Sequence, residues 1–191
     1  MNKNLKYELA IERYSRAIYL NKSDYRAHNN RGIAFQKAGK FKEAITDFTK
    51  AIELNQSFDP AYTNRGNVYQ ELGDYESALY DFNRAIDINP NNGMAYNNRG
   101  FCYMLIGEYE KAKKDIQTAL EINKDNIFAL NSMAELYVAM NDYEKAFEWL
   151  KEAIRNGYNN WNYLMTSKTF QKIRNTETFK QIIKNHQRKN P

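Results

Sequence analysis

Cysteine occurs once, at Cys102, so the chain can close no internal disulfide. Cys102 stands between Phe101 and Tyr103 in a helical pattern, the setting of a small buried thiol rather than a reactive one. Long apolar runs are missing as well, and none approaches the ~18 residues that a bilayer-spanning helix requires. The opening MNKNLKYELAIERY lacks an apolar stretch ending in small residues, so no secretory signal is read and a cytoplasmic location is favoured. Histidine is scarce: His28 and His186 sit near opposite ends, neither with a Cys or His at metal-ligand spacing, so no metal is expected. The eight glycines fall where helices end or touch, and none belongs to a phosphate-cradling loop, so no cofactor is expected. Carboxylates are plentiful, but they read as helix starts and outer faces. No catalytic residue is assigned and no enzyme is expected.

What the chain does have is a repeat. Slid by 34 residues, the stretch Ala61–Pro90 nearly matches its flanks. Gly32, Gly66 and Gly100 fall in register, with Ala134 in the fourth slot; Phe35, Tyr69, Tyr103 and Tyr137 follow three residues later. Then come Ala44, Ala78, Ala112 and Ala146, next Phe48, Phe82, Ile116 and Leu150, and last Ala51, Ala85, Ala119 and Ala153. A fixed period in this range marks an array of stacked helical units.

This small–x2–aromatic…Ala–x3–aromatic/aliphatic–x2–Ala spacing resembles the tetratricopeptide repeat (TPR) family. The resemblance implies an all-α, right-handed superhelical solenoid of antiparallel helix pairs. Full repeats are expected at 25–58, 59–92, 93–126 and 127–160, after a half repeat at 4–22 and before a degenerate cap at 161–191, all within a single TPR-like domain. There are departures: His28, Tyr62, Tyr96 and Leu130 stand where the family often has tryptophan, and only the second unit has the closing proline, Pro90.

The first helix of each pair is expected near 25–38, 59–72, 93–106 and 127–140, and the second near 41–54, 75–88, 109–122 and 143–155. Asp59 before Pro60, Asn92 and Asn126 are expected to cap first helices, and Asp74 and Asp142 second helices. Gly39, Gly73, Gly107 and Asn141 are expected to end first helices in a left-handed conformation. Leu5–Leu20 reads as one amphipathic helix in second-helix register, with Tyr7, Ala10 and Tyr14 facing the place of an absent partner. Either the chain is a fragment of a longer array, the expectation favoured, or this lone helix serves as the N-terminal cap; self-association through it is expected. Toward the end, Trp161, Leu164, Phe170 and Ile173 read as a short helical stretch opened by Ser167. Phe179, Ile182 and Ile183 form the apolar face of a last helix capped by Asn175 or Thr176.

Charge sits unevenly. From Trp161 onward there are seven Lys/Arg (Lys168, Lys172, Arg174, Lys180, Lys184, Arg188, Lys189) against Glu177, a net of +6 in a chain of net +5. These cations alternate with apolar positions, as on the solvated face of a cap. Nucleic-acid binding by this basic tail is the lesser alternative, with an architectural spacer in a larger protein as another.

Two polar rows remain. Arg31, Arg65 and Arg99 recur 16 residues before Asp47, Asp81 and Asp115 on the antiparallel helix, and both members change together in the fourth unit, to Met133 and Trp149. Loss in concert marks them as structural ion pairs, of about 0–1 kcal/mol each where exposed. The second row is Asn30, Asn64 and Asn98, with Ser132 in the fourth unit. In the family this position faces a concave groove, where an amide offers a donor and an acceptor to the backbone of an extended peptide. The resemblance therefore implies a non-enzymatic protein-interaction scaffold. Its expected peptide site comprises Asn30, Asn64, Asn67, Met94, Asn98, Phe101, Met104 and Phe128, with Arg26, Ile33, Lys37, Gln70, Glu71 and Glu135 as neighbours.

Overall fold

The computed structural model describes residues 3–187, and these form helices and turns with no strand among them. An unpaired helix, α1 (Lys3–Leu20), precedes four helix pairs. The pairs are α2 (Tyr25–Lys37) with α3 (Phe41–Leu54), α4 (Asp59–Glu71) with α5 (Tyr75–Ile88), α6 (Gly93–Leu105) with α7 (Tyr109–Ile122), and α8 (Ile127–Ala139) with α9 (Tyr143–Arg155). A short α10 (Trp161–Thr166), a 3₁₀ turn (Thr169–Lys172) and α11 (Glu177–Gln187) follow. The second helices match their expected limits, and the first helices stop one residue short of theirs. The chain divides into two compact units between Asn98 and Arg99, within α6.

The local stops are those the sequence announces, with two corrections. Asn92, Asn126, Asp74 and Asp142 each accept a backbone N–H of the helix that follows, from Ala95, Phe128 and Ala129, Ser77 and Lys145 respectively. Gly73 (φ 80°) and Asn141 (φ 62°) turn the chain out of their helices in the left-handed region, where a residue other than Gly or Asn is strained. Asp59, however, does not cap α4. It is the first helical residue, and its carboxylate accepts Asn92 Nδ2 at 2.8 Å and Asn89 Nδ2 at 3.3 Å, tying the start of one repeat to its end. Ser167 likewise does not open the stretch from Trp161, although its Oγ accepts Phe170 N at 3.4 Å at the start of the 3₁₀ turn. Asn160 caps α10 through Tyr163 N, and Ser167 ends it, so the expected single stretch is a short helix followed by a 3₁₀ turn. Thr176 accepts Phe179 N at the start of α11.

In the first unit, the core lies where small residues let paired helices approach. A Cβ on Gly66 would stand 2.8 Å from Phe82 Cε1, and one on Gly32 2.7 Å from Phe48 Cε1. The two phenylalanines occupy the space the glycines leave and are fully buried. Phe48 packs with Ala44 and Val68, while Tyr62 packs with Ala85 and Ala95, so each apolar cluster spans consecutive repeats. In the second unit, Ile116 fills the same space beside Gly100. Ala129 through Val138 of α8 are all buried. The 3₁₀ turn packs on α8 and α11 on α9, with the Phe170 and Phe179 rings 6.2 Å apart beneath them. This segment turns its apolar residues inward and its lysines outward.

Candidate functional site

The arginine row takes one geometry three times. Arg31 reaches Asp47 through Nε (2.7 Å) and Nη2 (2.8 Å), Arg65 reaches Asp81 at 2.8 and 2.7 Å, and Arg99 reaches Asp115 at 2.6 and 2.8 Å. Each is a two-pronged fork, the arrangement a guanidinium makes best with a carboxylate. The aspartates are buried, Asp81 completely, so these pairs are not the exposed kind. The remaining arm spans repeats: Arg31 Nη1 donates to Ser15 Oγ of α1, and Arg65 Nη1 to Thr49 Oγ1 of α3. Burial works to lower the Arg65 pKa, and the hydrogen bond and charge of Asp81 more than reverse it, leaving it above the ordinary value. His28 joins the first pair, with Nδ1 3.2 Å from Asp47 Oδ1.

The asparagine row lies on the other side of α4. Residues 64, 67 and 71 fall within one narrow arc of the helix, and 65 and 69 roughly opposite. A cleft of ≈ 320 Å³ is lined by Ile33, Gln36 and Lys37 of α2, Asn64, Asn67, Gln70 and Glu71 of α4, and Asn98. Its amides are ordered by one another. Asn64 Nδ2 donates to Asn29 Oδ1 at 3.0 Å, and Asn98 Nδ2 to Asn67 Oδ1 at 2.6 Å. Behind them, Asn29 donates to Asn30 and Asn97 to Asn98. Gln36 Nε2 donates to Glu71 Oε1 across the two helices. Asn64 and Asn67 thus each spend one group on a neighbour, and Asn98 spends both. Among the described residues, Asn64 Oδ1 and Asn67 Nδ2 keep theirs, an acceptor and a donor one helical turn apart in the cleft.

Of the residues expected at a peptide site, the first unit brings Asn64, Asn67 and Asn98 to this cleft, while Asn30 accepts from Asn29 and Met94 is 58% exposed. In the second unit Phe101 is half-buried and Phe128 is 65% exposed. Met104 is a correction: at 5% exposure its side chain is core, because its helix turns that position inward. Glu135 is another. It is 1% exposed rather than on an open face, and its Oε1 accepts Tyr163 Oη at 2.5 Å from α10. Burial pushes its carboxyl up to about 8, against the pull of the Tyr163 hydrogen bond. Sequence reasoning missed Gln36; its spacing of about one turn from Ile33 on α2 was the available signal. Lys168, Lys172, Lys180 and Lys184 are exposed; Lys180 pairs with Glu177 at 2.9 Å and Lys172 reaches Asn141 Oδ1 at 2.8 Å. Arg188 and Lys189 lie outside the described residues.

Known families and structures agree with this architecture. The tetratricopeptide repeat family matches residues 25–58, 60–92 and 92–157, and a further TPR repeat match covers 6–39. The chain belongs to the tetratricopeptide repeat family, an all-α helical-repeat solenoid whose members serve as protein-interaction scaffolds. No curated protein matches it in sequence. Among solved structures it is similar to PilF of Pseudomonas aeruginosa, with 20% identity, a TM-score of 0.74, and coverage of 97% of this chain and 85% of that one. It is similar also to TTC0263, a thermophilic TPR protein of Thermus thermophilus, with 22% identity, a TM-score of 0.73, and coverage of 82% and 86%. YrrB, described as a TPR protein with an unusual peptide-binding site, is 25% identical, with a TM-score of 0.61 and coverage of 80% and 78%. Among the described residues no helix is long and apolar enough to cross a membrane, and no cluster of His, Cys, Asp and Glu could hold a metal ion.

Proposed function

We propose that this scaffold binds an extended segment of a protein partner in the amide-lined cleft of its first unit, without catalysis. The observation that carries the reading is the adjacent pair Asn64 Oδ1 and Asn67 Nδ2, each with hydrogen-bonding capacity to spare in a cleft where Gln36 and Asn98 are already ordered. A peptide unit offers the complementary pair, one N–H and one C=O, and an extended strand repeats it every ~3.3 Å. The bonds to Asn29 and Asn98 fix both side chains in advance, which lowers the entropy lost on binding. Ile33 supplies an apolar wall, and Lys37 and Glu71 supply opposite charges at its edge, where a peptide's side chains would be read. The description of YrrB as a peptide-binding TPR protein is consistent with this use of the fold.

The test pans the wild-type protein and an Asn64→Ala/Asn67→Ala variant against one display library of short unstructured peptides. Peptides selected by wild type should bind the variant at least several-fold more weakly, with stability changed by about 1 kcal/mol or less. Equal binding to both, with release on changing Lys180 and Lys184, would transfer the function to the basic end.

A further inference from the structure

The aromatic row on the other side of the first helices points to a second binding site. Its members are Phe35, Tyr69, Tyr103 and Tyr137, at one position of successive repeats. Three of the four rings carry a cation from their own repeat. Arg31 Cζ lies 5.7 Å from the Phe35 centroid, Lys111 Nζ 5.6 Å from that of Tyr103, and Lys145 Nζ 5.4 Å from that of Tyr137. The two lysines stand eight residues after their tyrosines, in the first turn of the second helix. The second repeat has Ser77 at that position, and among the described residues no lysine or arginine stacks over Tyr69; Arg65 lies over Tyr62 instead. The space is open. A cleft of ≈ 320 Å³ is lined there by Arg65, Tyr69, Glu76, Ser77, Tyr80 and Asp81.

Its lining suits the missing group. Tyr80 is 61% exposed, and it stands where the third and fourth repeats have Lys114 and Glu148, so this repeat alone places two tyrosines at the cleft. Arg65 and Asp81 neutralise each other through their fork. Glu76 is exposed and holds no ion pair among the described residues, which leaves the cleft one net negative charge. Aromatic faces with an adjacent carboxylate attract an organic cation.

We infer that the Tyr69–Tyr80–Glu76 cleft receives a lysine side chain of a protein partner, whose ammonium takes the place that Lys111 and Lys145 take in their own repeats. This site goes beyond the peptide cleft and stands independently of it, on the other side of α4. Nuclear magnetic resonance of the tyrosine rings tests it, with N-acetyl-lysine methylamide as the probe and N-acetyl-norleucine methylamide as its uncharged match. The lysine probe should shift the Tyr69 and Tyr80 ring signals saturably, with a dissociation constant on the order of 1–10 mM for so small a contact. The norleucine probe should not. Ser77→Lys should abolish the response by supplying the cation internally, and Glu76→Gln, a surface change that leaves the fold intact, should weaken it about threefold or more. Absence of a saturable shift, equal shifts with both probes, or an undiminished response in both variants would overturn the inference.

Discussion

At the scale of single residues, the concerted loss of Arg and Asp in the fourth repeat was the most informative pattern in the sequence. It named both partners of a fork that the structure forms three times, though it did not reveal that the aspartates are buried or that the third arm of the arginine reaches the preceding repeat. A buried carboxylate left without its guanidinium is costly, so Arg65→Ala should destabilise the protein by about 2–4 kcal/mol in urea unfolding. A double-mutant cycle of Arg65 with Asp81 should give a coupling of about 1–3 kcal/mol, while Arg65 with Glu71 should give close to none. Independent effects for Arg65 and Asp81 would contradict the pairing. Gly66 makes a separate prediction. Alanine there gains up to ~1 kcal/mol of helix propensity, but its Cβ at 2.8 Å from Phe82 Cε1 forces the ring to shift, at about 1–3 kcal/mol. Thermal unfolding of Gly66→Ala should therefore fall below wild type, and a stabilised variant would show that the crossing has room.

Helices were legible wherever the 34-residue period held, because caps, glycine stops and the apolar stripe all agree there. Legibility failed at two positions on the first helices of the second unit. Met104 and Glu135 both sit at positions that look open on a helical wheel, yet both are buried. For Glu135 the covering group is Tyr163 of α10, in the stretch where the period is lost. That burial has a consequence for acid dependence. The folded carboxyl, pushed up to about 8, keeps its proton across a range where the unfolded one has released it. Stability of the second unit should thus decline as pH rises from about 4.5 to about 8, by at most ~1.4 kcal/mol per unit, and level off above that. Tyr163 and Tyr158, whose phenols burial pushes up first and the Glu135 charge second, stay neutral over this range. Glu135→Gln should flatten the slope seen in urea titrations at several pH values; an unchanged slope would place its origin elsewhere. α1 gives an element-scale expectation of another kind. Leu9 is 40% exposed and lines, with Lys6, Ala10, Arg13 and Tyr14, an open cleft of ≈ 380 Å³ on a helix that, among the described residues, packs on α2. Concentration-dependent association in sedimentation velocity, reduced by Leu9→Glu, is expected; identical monomeric behaviour of both proteins would remove α1 from consideration as a contact surface.

At the scale of the whole molecule, the repeat gave away its fold far more readily than its site. Period and small-residue spacing are imposed by helix packing, which every repeat must satisfy, so they recur and can be counted. A binding cleft is built from what differs between repeats: Ile33 against Asn67, Lys37 against Glu71, Ser77 against Lys111. Asn64, Asn67 and Asn98 were visible as a row, but the way they order one another, and which groups they leave over, depends on side-chain geometry that spacing does not encode. The central claim is that the leftover groups hold a peptide backbone. It is tested most directly by following the Asn64 and Asn67 side-chain amide resonances while a peptide selected by the wild-type protein is added. The account predicts that the Asn67 Nδ2 protons shift and exchange more slowly with water in the complex, with Asn64 shifting beside them. Signals from Asn64 and Asn67 that stay fixed while the peptide binds, with shifts confined to Lys180, Lys184 and their neighbours, would contradict it.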